Sequence, residues 1–240
     1  MRGALFFGLF GMLAAMLVTG ACDDLINITL SPYFTDEANS AAGEPANAEG
    51  SATVPRLRAE DGAFVLGYPN APVTLVLFED FVCSHCLMYE PTVSQFITDY
   101  VTTGEAKLEY RMYPTAGGDY TYFADQIAEC TEEQREGAFW DAREVLINLA
   151  HADKYAVDLG ERVASALNMD YDRMLDCTAT AQQVDVDMAF GRALGISGTP
   201  AVRVRYNDGP AEIIIHNGLS IPAGGVLIDY LDDLMADAGS

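Results

Sequence analysis

Phe78-Glu79-Asp80-Phe81-Val82-Cys83-Ser84-His85-Cys86 decides how this chain is read. Just before it, Val73-Thr74-Leu75-Val76-Leu77-Phe78 is a continuous apolar and β-branched run, entered through the turn-like Tyr68-Pro69-Asn70-Ala71-Pro72. That is the pattern of a strand buried on both faces. Just after it, Val93, Phe96, Ile97, Tyr100 and Val101 recur at helical spacing and form one apolar stripe. The cysteine pair therefore falls where a strand hands over to a helix. Two cysteines separated by two residues on a first helical turn can bring their sulfurs within disulfide distance. The leading sulfur of such a pair lies among the unpaired N–H groups of the helix start, which favour a thiolate over a thiol. His85 can add to this when protonated or by donating a hydrogen bond. The expected outcome is a reactive Cys83, a destabilised Cys83–Cys86 disulfide and a tendency to oxidise other thiols.

Outward from this stretch, Leu108, Tyr110 and Met112 alternate with Glu109, Arg111 and Tyr113, which predicts a second strand with one more polar face. Residues 119–194 carry helical periodicity, with stripes such as Phe139, Ala142, Val145, Leu146 and Leu149. Val202, Val204 and Tyr206 then alternate with arginines, and Asn207-Asp208-Gly209 turns the chain into Ile213-Ile214-Ile215, a hairpin by its turn chemistry. Leu227, Tyr230, Leu231 and Leu234 close the chain on one helical face. A βαβ unit feeding a ββα unit predicts an α/β fold, a mixed sheet covered by helices with a helical insertion at about 119–194.

Other uses of two close cysteines have to be weighed. A Cys-x-x-Cys can be half of a zinc site, but Cys130 and Cys177 form no second knuckle, and His151 and His216 lack ligand spacing. No metal is expected on this ground. A purely structural bridge closing so small a loop removes little chain entropy. A module that uses the two thiols to hold a soft ion such as Cu(I) stays as an alternative, weakened by the absence of a methionine or histidine cluster beside Cys83.

At this point the chain resembles the thioredoxin superfamily, and within it the DsbA-like thiol–disulfide oxidoreductases. The resemblance spans about Ala63 to Ala238 and rests on the cysteine motif with Pro91 beyond it, on Gly195-Ile196-Ser197-Gly198-Thr199-Pro200, and on Phe139-Trp140 within the inserted helices. It implies a thioredoxin-like fold, a cis Thr199–Pro200 bond beside the cysteines, attack through Cys83 and resolution by Cys86. Thr199 and Pro200 would then meet an extended substrate by strand addition. The residue after Cys83 is Ser84, where proline is common, so a redox potential does not carry over. Members of the superfamily often keep a carboxylate near the sulfurs as a proton relay; Glu79 and Asp80 are the candidates, and at least one of them is expected on the solvated surface. The implied activity needs no cofactor beyond the redox-active disulfide. Its partners would be unfolded or extended exported proteins and a membrane redox partner for reoxidation. A reductase or isomerase with the opposite electron flow is the alternative. Cys130 and Cys177, left over in an oxidising compartment, are expected to pair as a structural disulfide, worth about 4 kcal/mol in the chain-entropy model, with a second redox pair that relays electrons as the alternative, disfavoured because neither cysteine starts a helix. Trp140, the only tryptophan, is expected in the core.

The N-terminal end bears on location. Residues 4–18 form an uncharged apolar run after Met1-Arg2, short for a membrane span and suited to a secretory signal. Thr19-Gly20-Ala21-Cys22 resembles a bacterial lipoprotein signal, with Thr19 where leucine is usual, so residues 1–21 read as a signal peptide or lipoprotein signal, with lipidation at Cys22, conventional cleavage and an uncleaved anchor as the alternatives. Residues 22–61 are rich in Ala, Glu, Gly, Asn, Ser and Pro and read as a flexible acidic tether ahead of a domain at 62–240. All of this points outside the cytoplasm with membrane tethering at the N-terminus. Across all 240 residues, 36 Asp and Glu face 13 Lys and Arg, a net charge of −23. That excess argues against nucleic acid, whose binding depends on cationic side chains releasing counterions, and against docking on anionic lipid.

Overall fold

The computed structural model of the chain describes residues 53–152 and 156–239. The signal, the Cys22 lipidation site and most of the acidic tether lie outside them. Val73–Glu79 forms the central strand β3, buried along its whole length. It takes that place because both faces are apolar enough to be covered. It pairs in parallel with β4 (Ala106–Met112) and antiparallel with β5 (Ala201–Tyr206). With β1 (Arg56–Arg58), β2 (Phe64–Gly67), β6 (Glu212–His216) and β7 (Leu219–Ile221), these make a seven-stranded sheet in the order β1-β2-β4-β3-β5-β6-β7. The mixed α/β architecture expected from the sequence is present. Arg203 opposite Ile213 sets the register of the β5–β6 hairpin.

Helix α1 (Ser84–Phe96) follows β3 and buries Cys86, Tyr89, Val93 and Phe96. Pro91 lies inside it, and the helix passes into a π-helical turn at Ile97–Val101. Five helices then run from Asp119 to Ala193: α2 (Asp119–Thr131), α3 (Ala138–His151), α4 (Leu159–Leu167), α5 (Tyr171–Thr178) and α6 (Gln183–Ala193). Helix α7 (Ile228–Ala238) closes the chain. Phe139 of α3 stacks on Phe64 of β2 with centroids 3.6 Å apart, and Trp140 meets Tyr110 edge to face, so α3 shares the main core. Gly191 lets α6 lie close on the sheet: a Cβ there would meet the Tyr113 ring at 2.5 Å.

The more polar face of β4 is built from buried groups, and the expected bound of the tether is corrected. Glu109 and Arg111 are buried, and Arg111 bridges Glu109, Asp187 of α6 and Asp61. The tether ends earlier than residue 61. Arg56 of β1 makes a two-bond ion pair with Asp141 of α3 at 2.7 and 3.2 Å, and Asp61 pairs with Arg111 at 2.7 Å. Charged side chains with partners inside the domain hold a segment that its composition marked as loose.

Candidate active site

Strand β3 ends at Glu79, and the chain needs only Asp80 to Val82 to reach the helix. Asp80 organises that turn. One carboxylate oxygen accepts from Val82 N at 2.9 Å, and the other accepts from Thr115 N and Ala116 N, both at 2.6 Å. The turn therefore presents Cys83 as the N-cap of α1, in extended backbone conformation, with Leu87 N donating to its carbonyl. Ser84 and His85 are exposed on the first turn. Cys86, three residues on, faces inward.

Both cysteines are thiols, and both are largely covered, Cys83 at 6% and Cys86 at 3% exposure. The Cys83 sulfur donates to the Thr199 carbonyl at 3.4 Å. The Thr199–Pro200 bond is cis. Its loop is held in place by Tyr113, whose hydroxyl donates to Ile196 O at 2.9 Å, and by a 2.6 Å contact between the Thr115 and Thr199 hydroxyls. An open groove beside the pair is lined by His85, Met88, Tyr89, Thr199, Pro200, Gly224 and Gly225. Its far wall is fixed by Tyr89, whose hydroxyl donates to Val226 O at 2.9 Å and accepts from Val226 N at 3.1 Å. Gly225 is required by this approach, since a Cβ there would meet the Tyr89 ring at 2.5 Å. Met88 is 69% exposed, a large apolar side chain offered to an incoming segment.

Behind the pair the chemistry changes. The Cys86 thiol is pushed well above its ordinary range, by burial first and then by the charge of Glu79. Glu79 is itself buried, and burial raises its carboxyl from the ordinary 4.5 to about 7, against the pull of Arg143 and with the help of Glu90. Arg143 donates to Glu79 Oε2 at 2.8 Å, while Glu79 Oε1 has no hydrogen-bond partner among the described residues. A small cavity touches Cys86, Glu79, Glu90 and Tyr110 together. The expectation that one of the two adjacent acids is solvated is therefore corrected: both are buried, and the two differ in what holds them.

The candidate residues fall into three sets. Cys83, Ser84, His85, Cys86, Thr199, Pro200 and Glu79 are gathered at one end of the sheet. Asp80 is beside them but committed to the turn. Cys130 and Cys177 are elsewhere, joined in a disulfide between α2 and α5 and packed with Ala181. Arg143 and Glu90 were not singled out from the sequence. Each carried a signal. Glu90 is one helical turn beyond Cys86 on the same face, and Arg143 interrupts the buried stripe of α3 between Phe139 and Leu146. Among the described residues no cluster of side chains is arranged to hold a metal ion, and no helix is long and apolar enough to cross a membrane.

A helix-start thiol pair facing a cis-proline loop on a mixed sheet is the arrangement of one class of proteins, and the comparisons agree. Residues 59–208, more than half of the chain, match the family model described as thioredoxin, and the chain belongs to that family. Among solved structures, alpha-DsbA1 of Wolbachia pipientis superposes with a TM-score of 0.62 at 20% identity, covering 76% of this chain and 94% of that one. Oxidised BdbD of Bacillus subtilis superposes with a TM-score of 0.56 at 21% identity, covering 72% and 91%. At these identities the likeness establishes a shared DsbA-like fold. Among curated proteins, the Na(+)/H(+) antiporter NhaA 3 of Salinispora tropica is 33% identical over 159 residues, 64% of this chain and 23% of that protein. NhaA 1 of Salinispora arenicola is 31% identical over 144 residues, 58% of this chain and 21% of that protein. The matched parts thus span less than a quarter of these curated relatives.

Proposed function

We propose that this protein is an extracytoplasmic thiol–disulfide oxidoreductase that oxidises cysteines of exported proteins through a Cys83–Cys86 disulfide. The observation that carries the reading is the Cys83 thiol at the helix start, bonded to the carbonyl of Thr199 beside the cis proline, with Cys86 behind it against Glu79. An extended substrate would lie along the groove and pair with the main chain at Thr199 by strand addition. Its thiolate attacks the Cys83 sulfur, the Cys83–Cys86 bond breaks, and Cys86 leaves as a thiolate. That thiolate takes a proton from Glu79, whose value near 7 suits a donor at neutral pH. A second substrate thiol, once deprotonated, attacks the substrate sulfur of the mixed disulfide. Cys83 then leaves as the thiolate, the substrate carries the new disulfide, and two electrons rest on the enzyme. A membrane redox partner would accept those electrons and restore the bond. The disulfide is the only redox group the cycle uses. Tethering through a lipid on Cys22 or through the N-terminal segment would keep the domain near that partner.

In Cys86→Ala the Cys83 thiolate can attack a substrate disulfide, releasing one substrate sulfur as thiolate, and no Cys86 sulfur is left to free the adduct by the return path, so substrates should accumulate as mixed disulfides on Cys83. Non-reducing gels of the variant in its host should show these adducts, and they should vanish in the double variant lacking Cys83. A Cys86→Ala protein with no adducts removes the mechanism. The equilibrium potential of the pair then sets direction. A value near −120 mV favours an oxidase and one near −270 mV a reductase, by comparison with reference proteins of those potentials.

A further inference from the structure

Three charged groups lie one behind the other under Cys86. Glu79 at the end of β3 is 3% exposed at its side chain, Arg143 of α3 is 7% exposed, and Glu90 of α1 is 17% exposed and reaches the surface. One guanidinium nitrogen of Arg143, Nη2, serves both carboxylates, Glu79 Oε2 at 2.8 Å and Glu90 Oε1, while Nη1 also reaches Glu90 Oε2 at 3.4 Å. Arg143 is thus shared, and whatever binds it to Glu90 weakens its hold on Glu79. The other groups facing Glu79 are Cys86 and Tyr89 of α1 and Tyr110 of β4. Burial and the nearby carboxylate push all three upward, which keeps them neutral near pH 7. Arg143 also sits over the Tyr110 ring, 5.0 Å from its centroid, which fixes the guanidinium on the side away from solvent. Asp80 lines the same small cavity with its carboxylate taken up by three backbone N–H groups, and among the described residues Arg143 and Glu90 are the charged groups that act on Glu79. Glu79, whose Oε1 has no hydrogen-bond partner among the described residues, lines the same small cavity as Cys86.

We propose that Arg143, supplied by the helical insertion, and Glu90 are positioning residues for the proton step, setting in opposite senses how readily Glu79 exchanges its proton with Cys86. This rests on the reading of Glu79 as the proton partner. Arg143 fixes Oε2 and draws the carboxylate toward its charged form. Glu90 competes for the same guanidinium nitrogen and adds a like charge, which draws Glu79 toward its protonated form. The insertion thereby contributes to the chemistry of a pair that sits wholly on the thioredoxin core.

The two residues predict shifts of opposite sign, which a merely structural role does not. The Glu79 carboxyl is titrated by 13C NMR in the full chain labelled at glutamate Cδ, with Cys83 and Cys86 replaced by Ser and the signal assigned through Glu79→Gln. In Glu90→Gln the midpoint should fall by about half a pH unit or more, and in Arg143→Met it should rise by about one to three pH units, the range for loss of a contacting opposite charge. Arg143→Lys, which keeps the charge, should stay near the parent. The pH profile of thiol oxidation by proteins with intact cysteines should move in the same directions. Midpoints that stay put, or that move the same way in both variants, overturn the proposal. Should Arg143→Met not fold, the fall in Glu90→Gln decides alone. Midpoints that move in a protein without thiol-oxidising activity would sink the functional reading and leave the triad standing. Activity with unmoved midpoints would do the reverse.

Discussion

Glu79→Gln should change how stability depends on pH, with a sign and size that follow from the site. The carboxyl stands at 4.5 in an unfolded chain and at about 7 in the fold, raised by burial. A raised folded value means that the native state holds the proton over a range where the unfolded chain has lost it. Stability from this group is therefore complete below pH 4.5 and is lost as the pH climbs through 7. At 1.36 kcal/mol per pH unit the gap corresponds to about 3 kcal/mol in all, of which about 2.5 kcal/mol falls between pH 5 and pH 8. Asp187, raised to about 6 by burial, and Asp125, also raised by burial, add losses of the same sign, but they are present with and without Glu79. Urea unfolding of parent and variant at the two pH values, both with Cys83 and Cys86 replaced by Ser, isolates the difference. The parent should lose about 2.5 kcal/mol more than Glu79→Gln between pH 5 and pH 8. Any offset that the lost Arg143 pairing adds at both pH values drops out. If the two proteins lose the same amount to within about 0.5 kcal/mol, Glu79 does not titrate in this window and the proton step assigned to it fails.

Other outcomes follow from the same geometry. Replacing both Cys130 and Cys177 with Ala opens a loop of 47 residues and should lower unfolding stability by about 4 kcal/mol, measured in denaturant without reductant. A loss under about 1.5 kcal/mol would mean that the bond adds little to the packing around Cys130. Asp80→Asn keeps one acceptor oxygen but aims an amide N–H at backbone donors, so it should cost about 1–3 kcal/mol and slow thiol exchange by loosening the turn under Cys83. An unchanged exchange rate in a folded Asp80→Asn protein would dissociate that turn from the chemistry. Gly225→Ala should weaken binding of extended peptides to the groove with little effect on reduction by a small dithiol, because its methyl is directed at the Tyr89 ring.

Much of the arrangement was legible because local patterns and tertiary contacts agree. An apolar run, a cysteine pair and a helical stripe in succession leave few other places for Cys83, and Gly-Thr-Pro ahead of an alternating strand places Pro200 near it. β1 was missed because Arg56-Leu57-Arg58 is short, charged and next to a composition that favours disorder. It is a strand through its pairing with β2, and Arg56 is held there by Asp141, 85 residues away. Arg143 was missed for a related reason. A helical stripe is read from its apolar members, so a charged residue within it counts as an interruption. The more informative reading is that a cation on a buried stripe must find a carboxylate.

Glu79 and Asp80 show why neighbouring residues of the same charge take different work. At the end of a strand, successive side chains leave on opposite sides. Glu79 continues the face of Leu75 and Leu77 toward α1 and α3, where its partner among the described residues is a guanidinium already shared with Glu90. Asp80 leaves on the other side and accepts from three backbone N–H groups. Three fixed donors make a rigid brace for the loop that presents Cys83. One shared cation leaves Glu79, in the same cavity as Cys86, with an oxygen that has no hydrogen-bond partner among the described residues. The division of labour thus lies in the donors each carboxylate meets, and exchanging the two environments would exchange the roles.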